Sequence, residues 1–159
     1  MRRKTRLLPL LLAGLVLAGC VTETEAGGNG PGDVRVSDKA PIVIRNDDGG
    51  NVTGYIARRE QLAKSGRRVE IRGYCASACT MLTTLPNACL GPKLVIAFHA
   101  PHFIGTNIPA PMVTGLMGRY YRNGVLQKWN STWSKSQKMT KISAREYVRL
   151  DPQTRICPR

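Results

Sequence analysis

Gly73-Tyr74-Cys75-Ala76-Ser77-Ala78-Cys79-Thr80 places a serine where a strand gives way to a helix. Before it, Arg68-Val69-Glu70-Ile71-Arg72 alternates polar and apolar residues, as a half-buried strand does. After it, Ala76 to Leu85 reads as a helix stopped by Pro86-Asn87. A serine at such a turn is exposed, and the helix N-terminus adds positive potential beside it. The N–H of the next residue, Ala78, falls where an oxyanion would develop. A serine hydroxyl needs a base to become a nucleophile. His99 offers one 22 residues later, in Ile96-Ala97-Phe98-His99-Ala100-Pro101, just past a predicted strand. A second amide could come from Gly49-Gly50, where glycine allows close backbone approach.

Working outward, Pro41-Ile42-Val43-Ile44 is a short buried strand, ended by the turn residues Asn46 to Gly50. A helix fits Asn51 to Lys64, with Val52, Tyr55, Ile56 and Ala63 on one face and Ser65-Gly66 at its end. Cys89-Leu90 and Leu94 to Phe98 are further strands. Residues 112–133 carry Val113, Leu116, Met117, Tyr120, Tyr121, Val125, Trp129 and Trp133 at helical spacing, and both tryptophans read as core. Gly118 and Gly124 weaken a single unbroken helix there. Ser143 caps a last helix to Leu150, with Glu146 completing a capping box. Alternating strands and helices predict a single α/β domain with parallel pairing over residues 34–159.

The N-terminus reads as an export signal. Arg2, Arg3, Lys4 and Arg6 form a basic head before an apolar stretch too short to span a membrane. Leu17-Ala18-Gly19-Cys20 resembles a bacterial lipobox. That resemblance implies a signal peptide over 1–19, cleavage before Cys20, and a lipid on Cys20 that anchors the protein to a membrane facing the periplasm. Val21, where no aspartate stands, favours the outer membrane. Residues 20–33 are a flexible tether. Four of the 24 Lys and Arg lie in the signal and none of the 10 acids does, so the formal charge falls only from +14 to about +10 without it. A basic surface suits anionic lipid or cell-surface polymers. The cations are scattered, densest at Arg58, Arg59, Arg67, Arg68 and Arg72, and no nucleic-acid-binding motif appears.

Cys75, Cys79, Cys89 and Cys157 remain for an oxidising compartment, which implies two disulfides in one of three pairings. The spacings do not match zinc knuckles, and neither a metal nor a cofactor is expected. We favour Cys79–Cys89, tying helix to strand, and Cys75–Cys157, tying down the C-terminus.

Several segments together resemble the proteolytic subunit of Clp protease. Asp47-Asp48-Gly49-Gly50-Asn51-Val52-Thr53-Gly54 is similar to its glycine turn, and Cys75-Ala76-Ser77-Ala78 to its serine segment. Cys89-Leu90-Gly91-Pro92 through Phe98-His99-Ala100-Pro101 resembles its histidine stretch, and Ile142-Ser143-Ala144-Arg145-Glu146-Tyr147 a late helix start. The resemblance spans about residues 40–152, and is closer still to exported Clp-protease-like proteins with a Cys-x-Ser-Ala-Cys-Thr segment. It implies the Clp-protease/crotonase spiral of ββα units. By it, Ser77 is nucleophile, His99 is base, and the N–H groups of Gly50 and Ala78 form the oxyanion hole. The family's orienting aspartate is replaced by Met139, which leaves Asp151 as the acid that could fold back.

Two functions follow as expectations. One is a lipid-anchored serine peptidase that acts on peptides or proteins through a Ser-His pair. The other is a non-catalytic envelope lipoprotein that uses the same fold for binding or assembly, as a homo-oligomer if residues 112–133 act as a handle helix. Thioester chemistry of the crotonase kind fits less well, since those enzymes do not generally use a Ser-His pair.

Overall fold

The computed structural model describes residues 37–103 and 105–158, so the expected signal peptide, Cys20 and the expected tether lie outside the described residues. Five strands form one mixed sheet: β1 (Ser37–Asp47), β2 (Arg67–Ala76), β3 (Ala88–Leu90), β4 (Val95–Phe98) and β5 (Thr140–Ser143). The order is β1-β2-β4-β5, with β3 also on β2. The first three pairings of β2 are parallel, and β5 runs antiparallel to β4. One edge of β2 is thus shared. Its first half pairs with β3 (Val69 to Ala88, Ile71 to Leu90) and its second with β4 (Tyr74 to Val95, Ala76 to Ala97). Where the edge changes hands, the register with β1 also slips between Arg45 and Asp47, and Asn46 and Gly73 take positive φ values of 51° and 73°. The extra residue is a bulge, which bends the strands toward their C-terminal ends.

Helix α1 (Val52–Lys64) starts at Asn51, whose side chain accepts the Gly54 N–H at 2.9 Å. Helix α4 (Ala144–Leu150) starts at Ser143, which accepts the Glu146 N–H at 3.2 Å. The segment after Ser77 is an eight-residue 3-10 helix, Ser77–Thr84. Such helices are usually shorter. Here threonine hydroxyls bond back three residues, Thr80 to the Ser77 carbonyl at 2.5 Å and Thr83 to that of Thr80 at 2.7 Å, which suits a three-residue period. The same hydroxyls meet Tyr121 and Tyr147, each at 2.6 Å. This helix is therefore tied into the core at two levels.

Residues 112–133 form two helices rather than one, α2 (Pro111–Gly118) and α3 (Asn123–Ser131). Gly118 faces Trp129, with a Cβ there only 3.3 Å from the indole nitrogen, so the helices close on each other at that point. Trp129 and Trp133 are buried, and Phe98 stacks on Trp133 with ring centroids 4.3 Å apart. Val69, Ile71, Met81, Leu90 and Ile96 complete the centre of the core, each contributing about 1.5–3 kcal/mol by burial.

The disulfides join Cys75 to Cys79 and Cys89 to Cys157, not Cys79 to Cys89 and Cys75 to Cys157. The sheet explains why. Cys89 lies opposite Glu70 on β2, five residues before Cys75 or roughly 16 Å along the strand. That is too far for a bridge between the two regions. The C-terminal segment instead runs along β3, where Cys157 N–H bonds to the Leu90 carbonyl at 2.8 Å and reaches Cys89. Among the described residues no helix is long and apolar enough to cross a membrane.

Candidate active site

At the end of β2 the backbone turns sharply. Ser77 has φ +52°, a left-handed value that is uncommon outside glycine. Gly49 packs against this corner with φ +84°, and a Cβ on it would lie 2.5 Å from the Ala76 carbonyl, 2.7 Å from the Ala78 nitrogen and 2.9 Å from the Ser77 Cβ. Only glycine fits so close an approach. The glycine turn and the serine corner are therefore in contact, although 28 residues separate Gly49 from Ser77.

The turn has an anchor that sequence reading missed. Asp47 accepts the Gly49 N–H at 3.0 Å, an Arg58 guanidinium N–H at 2.7 Å and the Tyr55 hydroxyl. Burial pushes the Asp47 carboxyl up, but these three donors outweigh it and hold it below its ordinary range. Tyr55 is pushed up to about 12 by burial and by this carboxylate. The available signal was an acid immediately before the turn, followed by Tyr55 and Arg58 on one face of α1. Because Asp47 holds the Gly49 amide, the Gly50 amide is the one without a partner among the described residues.

Ser77, Gly50 and His99 line one cavity of about 460 Å³. Ala78 is fully buried beneath Gly49 and is not on the cavity wall. His102 lines the cavity too, half-buried, with its ring centroid 5.6 Å from that of His99. Pro101, Phe103, Val113, Leu116 and Met117 make much of the remaining wall apolar.

His99 is half-buried at the end of β4. Its Nδ1 lies 2.9 Å from the Ala100 carbonyl oxygen. A carbonyl can only accept, so Nδ1 carries the proton and Nε2 of the neutral ring is the basic nitrogen. Burial pulls the His99 pKa below its ordinary value of 6.5; the Ala100 bond pushes up and His102 pushes down. Among the described residues no hydrogen bond joins Ser77 to His99, and no carboxylate touches the ring. The bonding of a resting site is often looser than that of the reacting complex.

Asp151 does not fold back to the histidine. It is fully buried and accepts both contacts of Arg122 Nε (3.0 and 2.8 Å), the Asn123 amide at 2.7 Å and the Thr154 hydroxyl at 2.5 Å. Met139 precedes Thr140, which pairs with Phe98 across β4 and β5, so the register brings Met139 level with His99. Among the described residues no group of three or more His, Cys, Asp or Glu side chains gathers as a metal cluster. No family model matches the chain, and no curated protein matches its sequence.

Proposed function

We propose that this chain is a serine hydrolase of the envelope, acting on peptides or proteins with a Ser77–His99 pair on a Clp-protease/crotonase-like fold. The observation that carries the reading is the left-handed corner at Ser77, held against Gly49, on the same cavity wall as a His99 whose free nitrogen is Nε2. A nucleophile set at a strained strand-to-helix corner is exposed and pre-aimed.

In the proposed reaction, Nε2 takes the Ser77 proton as Oγ bonds to the substrate carbonyl carbon. The oxyanion is met by the Gly50 amide, which lines the cavity, whereas Ala78 is buried beneath Gly49. The imidazolium returns its proton to the leaving amine, and the acyl ester on Ser77 is then cleaved by water. The Ala100 carbonyl fixes the ring's tautomer, as a carboxylate does in a triad, but carries only a partial charge. Losing the carboxylate lowers turnover on the order of 10⁴-fold in a full triad, so a slow enzyme is expected. The lipobox-like Leu17-Ala18-Gly19-Cys20 supports anchoring by lipid on Cys20, tested by labelled palmitate incorporation that Cys20→Ser abolishes.

The second reading, a binding scaffold without catalysis, is favoured by the missing Ser77–His99 hydrogen bond among the described residues. A fluorophosphonate probe separates the two. Covalent labelling of the wild type, lost in Ser77→Ala and slowed in His99→Ala, is the result expected of the hydrolase. An unlabelled wild type, with intact fold, leaves the scaffold.

A further inference from the structure

A second cavity, of about 680 Å³, opens where β2 passes its edge from β3 to β4. Its wall carries Arg45, Arg72, Lys93 and Arg145, and no aspartate or glutamate. These four cations come from four separate pieces of chain: β1, β2, the β3–β4 connection and α4. It shares no wall residue with the Ser77 cavity.

Such a gathering is unfavourable without a counter-charge. Arg45 and Arg72 are direct neighbours in the parallel register, and like charges side by side destabilise a sheet. Arg72 has some relief, from Glu70 at 2.7 Å, but Glu70 also serves Arg68 at 3.0 Å. Arg45, Lys93 and Arg145 have no acidic partner among the described residues. Elsewhere Arg58 pairs with Asp47 and Arg122 with Asp151. Gly73, Gly91 and Pro92 also line the notch.

We propose that this notch binds a phosphate-bearing anion. The guanidinium forks of Arg45 and Arg145 suit the paired oxygens of a phosphate, Arg72 adds charge from the fork it shares with Glu70, and Lys93 adds a mobile point charge. The phosphate could belong to a soluble compound or to a lipid headgroup, and both would be read by the same four side chains. The site stands whether or not Ser77 is a nucleophile.

The test uses inorganic pyrophosphate in calorimetry at low salt, and vesicles of phosphatidylglycerol against phosphatidylcholine in co-sedimentation. The compared proteins are the wild type, Arg45→Gln with Arg145→Gln, and Lys128→Gln with Lys135→Gln, which removes equal charge outside the notch. Lys93→Gln, on a connection rather than a strand, gives an independent reading if the first variant misfolds. The expected result is a loss of about tenfold or more in affinity for the notch variants only. A loss confined to pyrophosphate assigns a soluble phosphate, and a loss confined to phosphatidylglycerol vesicles assigns a headgroup. Equal losses in the Lys128/Lys135 variant, or no binding of either probe by the wild type, overturn the proposal.

Discussion

Asp47 shows how one carboxylate can govern a site it never enters. It bonds the amide of Gly49, and Gly49 in turn packs on the Ser77 corner. In Asp47→Ala the Gly49 amide, the Tyr55 hydroxyl and Arg58 lose their common acceptor. A stability loss of about 1–3 kcal/mol in urea unfolding is expected, with slower fluorophosphonate labelling. Because its folded pKa is held below the ordinary 3.8, Asp47 contributes fully above that pH, and the contribution fades as pH falls through the lowered value. The difference between wild type and Asp47→Ala should therefore shrink in acid, and a constant gap would sink this account. His99 gives a second pH test. Its pKa lies below 6.5, so the neutral base persists into mild acid. The acid limb of labelling against pH should have its midpoint below 6.5. Removing the neighbouring imidazole in His102→Gln should move that limb upward, without reaching 6.5, since burial is the larger cause. A downward movement contradicts the assignment.

At the scale of elements, the β4–β5 pairing decides what can stand beside the base. Thr140 is opposite Phe98, so Met139 comes level with His99 at the strand ends. Met139→Asp should supply a carboxylate there, raise turnover about tenfold and lift the acid limb, since an adjacent negative charge favours the imidazolium. Met139→Asn should do neither. If the aspartate variant matches the asparagine one in both rate and pH profile, the Ala100 carbonyl holds the ring too firmly for position 139 to matter. The segments around this pairing differed in how far sequence exposed them. Ser143 was legible as a cap because its hydrogen bond is local, and the start of the first helix at Asn51 was legible from the turn residues before it. The 3-10 form of Ser77–Thr84 was not, because it depends on Tyr121 and Tyr147, 41 and 64 residues from the threonines they meet. Strand β5 was missed because Thr140–Ser143 is short and takes its register from β4.

At the scale of the domain, the α/β order was readable from alternating periodicities, while the cysteine pairing was not. Four cysteines allow three pairings, and the choice rests on the fork in β2, which no local pattern reveals. The two bridges that result have different tasks. Cys89–Cys157 spans 68 residues and ties the C-terminal segment to β3. Cys75–Cys79 spans only four, directly across Ser77. Chain-entropy arguments give about 4 kcal/mol for the long loop and about 2 kcal/mol for the short one. Thermal unfolding of Cys89→Ala/Cys157→Ala should therefore show the larger fall in midpoint. Reactivity should rank the other way. The short bridge holds both flanks of a residue at φ +52°, and without it the corner can relax toward ordinary backbone. Fluorophosphonate labelling below the melting range should then slow more in Cys75→Ala/Cys79→Ala than in the more destabilised variant. Labelling that merely follows stability would show that the bridge across Ser77 is structural, and that the corner is held by Gly49 and the threonine–tyrosine ties alone.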